Sequence, residues 1–208
     1  MDPAKFRLLL ERSSGEREIA AYLKAHPWIV YWTFCPSSGH DRYLLTEFPL
    51  GSQFCADMVI LNAYSGVWET LFIELEPIYD RTFTKTGTPS KRLALAARLV
   101  GDWRAYMEQH LDAVRQDLVI WAKKRDRLHY SSREEPCNYT RDFLADPGTY
   151  IHLKYTILIG RSSLLNREDR VRKGRYLSTG GKCYAASQRR RVPIGSQWRH
   201  VVSERLDR

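Results

Sequence analysis

The chain has 208 residues, 43% hydrophobic and 12% aromatic, with 33 Lys and Arg against 24 Asp and Glu, a net charge of +9. That length and apolar content fit one folded domain with a real core, and no apolar run approaches the ~20 residues that a membrane span needs. The charge is uneven: residues 1–160 hold 20 basic and 20 acidic residues, whereas residues 161–208 hold 13 and 4, a basic end that fits either a polyanion, most often nucleic acid, or a solvated tail.

The first stretch, "MDPAKFRLLLERSSGERE", lacks the apolar core and cleavage site of a secretory signal. Cys35, Cys55, Cys137 and Cys183 are scattered, with no CxxC pair. A zinc site or disulfide framework is not expected, and a reducing cytoplasm fits best. An amphipathic helix is expected from about Gly15 to Ala25, with Ile19, Tyr22 and Leu23 as its stripe. Pro27 should end it, and "YWTFCPSSGHD" reads as a loop with aromatic anchors. Three strands follow, "RYLLTEFPL", "FCADMVILN" and "VWETLFIELEP", joined by the turns "GSQ" and "AYSG" into an antiparallel meander.

After the polar loop "YDRTFTKTGTP", Ser90 can cap a long helix over residues 91–124, which Gly101 would bend or pack closely. "RDRLHYSSREEPCNYTRDFLADPG" is loop-rich and expected to protrude. "TYIHLKYTILIGR" is another strand, "LLNREDRVRKGRYL" a final helix, "STGGKC" a break, and "SQRRRVPIGSQWRH" a basic tail. The order α-β-β-β-α-β allows a parallel crossover, which predicts an α/β fold with a mixed central sheet flanked by helices. The expected organisation is a domain over residues 1–177 and a basic extension over residues 178–208.

Within "LFIELEP", strand periodicity points Glu74 and Glu76 to one face, among apolar neighbours. With the turn between Ser65 and Gly66, Asp57 falls opposite Glu74 on the next strand. With the turn at Ser52, Glu47 falls opposite Asp57. Opposed Cβ atoms lie ~4.5–5.5 Å apart, so two hairpins line up three carboxylates, with Glu76 alongside. Four acids in one patch repel unless a cation intervenes. An all-oxygen donor set suits Mg²⁺ or Mn²⁺, which keep open positions for phosphate oxygens and make an attacking water more acidic. The plainer alternative is that the acids, Glu47 above all, are exposed and paired with Lys or Arg. His26 reads as a packing residue at a helix end, and the tryptophans mostly as core. "TGGK" at 179–182 lacks the phosphate-loop spacing.

An acid in one strand, a hairpin, and (D/E)-x-K in the next strand is the PD-(D/E)xK nuclease pattern. The wider frame resembles the Shedu family of bacterial anti-phage defence nucleases. "EREIAAYLKAHPWIV" is similar to their leading helix, "FCADMVIL" and "FIELEP" to their two motif strands, "RLVGDWRAYM" to the helix that follows, and "YTILIGR" to a later strand. The likeness spans about residues 16–175. It implies a restriction-endonuclease-like core that cuts or nicks DNA with a divalent metal, and assembly into homo-oligomers.

Carried onto this chain, the resemblance makes Asp57 and Glu74 metal ligands, with Glu47 or Glu18 as an additional acid. Glu76 stands where the family has lysine. It would then bind metal or act as a general base, or Lys85 or Lys91 would reach the site instead, or activity would be lost. In the helix, Arg98 lies near the position where relatives carry Gln and would contact phosphate or solvent. The resulting expectation is a Mg²⁺-dependent endonuclease using Asp57, Glu74 and Glu76. Arg81, Arg92, Arg98 and the "RRR" at Arg189, Arg190 and Arg191 would grip the DNA backbone. Against it stands a DNA-binding or sensor module that kept the fold and lost catalysis, and, more distantly, a protein-interaction domain with a merely soluble tail.

Overall fold

The structure is a computed structural model that describes residues 3–12, 15–34, 41–64, 66–77, 81–124, 135–138, 140–161, 164–178 and 182–186. Along the chain run α1 (Pro3–Glu11), α2 (Glu16–Ala25), α3 (Pro27–Phe34), β1 (Arg42–Leu50), β2 (Phe54–Tyr64), β3 (Val67–Leu75), α4 (Lys91–Lys124), β4 (Ile151–Arg161), α5 (Arg167–Ser178) and β5 (Lys182–Ala186). The class is α/β with a mixed sheet. Two compact units divide it: one comprises Met1–Pro36, Leu75–Ala97 and Ile157–Arg208, the other Ser37–Glu74 and Arg98–Thr156.

The second unit holds the meander. β1 pairs antiparallel with β2, and β2 with β3, in the register that the two turns predict. β4 follows β3 in sheet order and runs parallel to it, its start fixed where the Trp68 N–H donates to the Tyr150 carbonyl at 3.0 Å. Every β2 residue from Met58 to Ala63 is buried, so this strand is covered on both faces. That is why it reads as a continuous apolar run rather than an alternating one. Phe48 packs edge-on to Trp121 of α4 with ring centres 5.8 Å apart, and Phe72 stacks on Tyr155 of β4 at 5.6 Å. Gly51 turns the first hairpin with φ of +61°, and a Cβ there would lie 2.3 Å from the Tyr106 hydroxyl. A side chain would therefore meet both backbone strain and α4.

Tyr155 gives a pH prediction. The Arg104 guanidinium lies 5.1 Å from its ring centre. Burial pushes its phenol up from 10.0 to about 12, with Arg104 opposing and Glu108 reinforcing the rise. The unfolded chain therefore gives up this proton near pH 10 and the folded chain near pH 12. The stabilisation is whole below pH 10 and is lost as pH rises through 12. Ultraviolet titration of tyrosinate should show a late step near pH 12 that is missing in Tyr155→Phe. An unchanged titration curve in that variant would contradict the placement.

The first unit contains α1 to α3. Ile19 and Leu23 are the buried stripe of α2. Tyr22 stacks between Phe6 at 5.1 Å and His26 at 4.2 Å, and His26 Nδ1 lies 3.0 Å from the Tyr22 carbonyl oxygen. His26 is thus a packing residue at the helix end, as its sequence position implies. The same unit carries the residues just after β3, where the Glu76 N–H donates to the Leu158 carbonyl at 2.9 Å and the Gly160 N–H to the Pro77 carbonyl at 3.4 Å. These bonds continue the parallel pairing with β4. β5 lies next to β4 in the sheet order.

Several sequence expectations are corrected. Pro27 does not simply stop α2. It opens α3, which takes in residues expected to be loop; proline is well suited to a first helical turn because its missing N–H has no partner there anyway. α4 bends at His110, with φ −131° and ψ 24°, not at Gly101, which sits in regular helix. The break expected around Lys182 and Cys183 is strand β5. The described part of the segment before β4 does not protrude: the Trp68 indole donates to the Asp142 carbonyl at 3.3 Å, and the Gly66 N–H to the Thr140 hydroxyl at 3.2 Å.

Candidate functional site

The pairing of β2 with β3 runs from Tyr64–Val67 to Met58–Ile73 and stops. β2 nevertheless continues as strand to Phe54 alongside β1, and β3 continues to Leu75. The β2–β3 pairing therefore ends one step before Asp57 and Glu74. Both residues are half-buried.

Glu47 occupies the corresponding step of β1, between the pairs Thr46–Met58 and Phe48–Ala56, and is itself missing from the ladder. Its φ is +55°, a left-handed conformation that costs a non-glycine residue ~1–2 kcal/mol. Its side chain is exposed. The registers thus put Glu47, Asp57 and Glu74 at one level of three adjacent strands, with the backbone distorted at that level in β1. Irregularity of this kind, in strands otherwise well formed, is typical of functional positions.

Among the described residues, no group of three or more His, Cys, Asp or Glu side chains is placed to cage a metal. An all-protein site of the calcium or zinc type is therefore not what these side chains form. Mg²⁺ and Mn²⁺ are commonly held by one or two carboxylates, with water and substrate phosphates as the other ligands, and Asp57 and Glu74 are half-buried carboxylates of that type.

Glu76 has other company. Its side chain is 12% exposed, and Oε2 lies 3.6 Å from Nη1 of Arg92, whose own side chain is 51% exposed. Arg92 sits in the first turn of α4. Ser90 caps that helix as its sequence position predicts, its hydroxyl accepting from the Leu93 N–H at 3.2 Å. Arg81, Lys85 and Lys91 are exposed in the same stretch, Arg98 is exposed on α4, and Glu18 is exposed on α2. Arg189, Arg190, Arg191 and Trp198 lie outside the described residues. The pairing of Glu76 with Arg92 is the feature that sequence reasoning missed. The partners are 16 positions apart and meet through loop closure, which no motif spacing marks.

A family model described as "Shedu protein SduA, C-terminal" matches residues 13–179. The chain belongs to the Shedu family. The matched stretch contains Glu47, Asp57, Glu74, Glu76 and Arg92, so the carboxylate row lies within the part that defines Shedu membership. No curated protein and no solved structure matches this chain. Among the described residues, no helix is long and apolar enough to cross a membrane.

Proposed function

We propose that this Shedu protein is a divalent-metal-dependent DNA endonuclease or nickase with a restriction-endonuclease-like core, acting in anti-phage defence. The observation that carries the reading is the end of the β2–β3 ladder. Two half-buried carboxylates stand one step beyond its last pair, which supports a site there.

Asp57 and Glu74 would hold Mg²⁺ or Mn²⁺, and the ion would supply charge at the phosphate and acidity to a water. The chain's own contribution is positional. The two hairpin registers bring the carboxylates to one level, and the β2 residues Met58 to Ala63 that follow Asp57 are buried. Arg81, Lys85, Lys91 and Arg98 are exposed cations available to the DNA backbone, and the basic residues of 161–208 would add phosphate contacts. Contacts of this type give binding that weakens steeply with salt and carries little sequence preference. The domain over residues 1–177 would do the chemistry and the extension over residues 178–208 the gripping.

The Glu76–Arg92 ion pair favours a second reading, a DNA-binding or sensor module that kept the fold without catalysis, because it places a neutralised carboxylate where relatives carry lysine. Supercoiled plasmid separates the two. Relaxation or linearisation with Mg²⁺ or Mn²⁺, abolished by chelator, is the expected result. Retarded but intact plasmid under every metal condition would favour the module.

A further inference from the structure

Tyr155 is held on the sheet face that carries Glu74. Phe72 and Glu74 are two positions apart in β3 and therefore share a face. The Tyr155 ring stacks on Phe72 with centres 5.6 Å apart and planes 22° from parallel, which puts it on that same face. β3 and β4 run side by side from the bond between the Trp68 N–H and the Tyr150 carbonyl. Tyr155 thus stands beside Phe72 and diagonal to Glu74. Diagonal neighbours on a sheet face lie ~7–8 Å apart, within reach of an aromatic side chain. Tyr155, Phe72, Glu74 and Asp57 all belong to one compact unit.

The ring is fixed while its hydroxyl is unused. The Arg104 guanidinium lies over the ring, 5.1 Å from its centre, and adds a cation–π contact to the stack. Tyr155 is half-buried, and a tyrosine shielded from water usually finds a hydrogen-bond partner for its hydroxyl. Among the described residues this hydroxyl has none: the contacts of Tyr155 are to its ring. A phenol keeps its proton at neutral pH, so the oxygen is a donor waiting for an acceptor.

We infer that Tyr155 is a substrate-binding residue of the candidate site: its O–H donates to a non-bridging oxygen of the phosphate group brought to Asp57 and Glu74. This assignment rests on the nuclease reading and adds to it a neutral donor from β4, outside both motif strands. The stack and the guanidinium set the direction of the oxygen in advance, so little ordering is left when the phosphate arrives. The bond strengthens as charge grows on the phosphate oxygens, so its contribution falls on the rate and not on metal binding. The phenol gives up no proton.

Tyr155→Phe removes one oxygen and keeps the stack and the cation–π contact. In the full chain, calorimetric titration with Mn²⁺ should give this variant the parent affinity within about twofold, because no ligand is lost. Its melting temperature should stay within ~2 °C, because no hydrogen bond within the chain is broken. Metal-dependent nicking of plasmid should fall on the order of 10²-fold in kcat, the usual cost of one transition-state donor. Phosphorothioate DNA separates a phosphate contact from a general loss of fit. Sulfur is a weak acceptor, so the parent should slow on that DNA by a larger factor than Tyr155→Phe does. A variant that nicks at the parent rate, or that slows on phosphorothioate DNA as much as the parent, overturns the assignment and leaves the nuclease reading standing. A roughly tenfold loss of Mn²⁺ affinity, or a melting drop above ~5 °C, makes the hydroxyl structural and overturns the assignment as well. A parent chain that neither binds Mn²⁺ nor nicks DNA overturns both.

Discussion

Glu74→Gln is expected to lower metal-dependent nicking by on the order of 10²–10³-fold, the range seen when one electrostatic partner of a transition state is removed. Melting temperature should stay within ~2 °C. Gln keeps the shape of Glu and loses only its charge, and the charge is what a hard cation needs. Glu74 stands one step beyond the last β2–β3 pair, and the substitution changes a side chain and not the backbone, so it breaks no strand pairing. A large kinetic effect with no stability effect is the signature of a residue kept for function. The check is a nicking time course at saturating Mn²⁺ beside a thermal melt. Equal rates for parent and variant would remove Glu74 from the site.

Arg115→Met is expected to do the opposite, damaging the fold directly. Arg115 projects from α4 and is 3% exposed. Its guanidinium donates to the carbonyls of Leu144 at 3.1 Å, Asp146 at 2.7 Å, Pro147 at 3.5 Å and Thr149 at 3.1 Å. Burial pulls its pKa below the ordinary arginine value, with Asp112 and Asp146 acting against that. The four carbonyls belong to the turn that leads into β4, so one side chain holds the entry of that strand. Met fills similar volume but offers no donor, and it strands buried carbonyls at ~1–3 kcal/mol apiece, or roughly 3–5 kcal/mol after partial relaxation. For a chain of this size ~1 kcal/mol moves the melting temperature by about 2–4 °C, so a drop of roughly 6–20 °C is expected. Arg115→Lys should recover little, because one ammonium cannot span four carbonyls. A shift under ~2 °C in a scanning melt would show that the turn holds itself.

Much of the meander was readable before any coordinates. β1 and α4 begin and end where apolar pattern, turn residues and the Ser90 cap place them, and both hairpin registers follow from glycine turns at Gly51 and Gly66. Local chemistry decides those features, so local sequence reveals them. α3 was hidden because "PWIVYWTF" is apolar all round and shows no helical stripe, and because its proline reads as a stop. The bend at His110 was hidden because nothing local to that residue announces it, whereas Gly101 advertises a bend that packing does not use. At the site, the level shared by Glu47, Asp57 and Glu74 was legible from turn positions. The end of the β2–β3 ladder and the left-handed Glu47 were not, since both depend on how strands run in three dimensions. The Glu76–Arg92 pair depends on a loop of Thr84, Gly87 and Pro89 closing under Arg172, and tertiary closure of that kind leaves no periodicity to read.

The central claim concerns a place, the step at which the β2–β3 ladder ends, and the most direct measurement is a crystal soaked in Mn²⁺ and examined by anomalous scattering. The account predicts a peak within ligand distance of carboxylate oxygens of both Asp57 and Glu74, with Glu76 still turned to Arg92. No peak there, with Asp57 and Glu74 each closed onto a basic side chain, would contradict it.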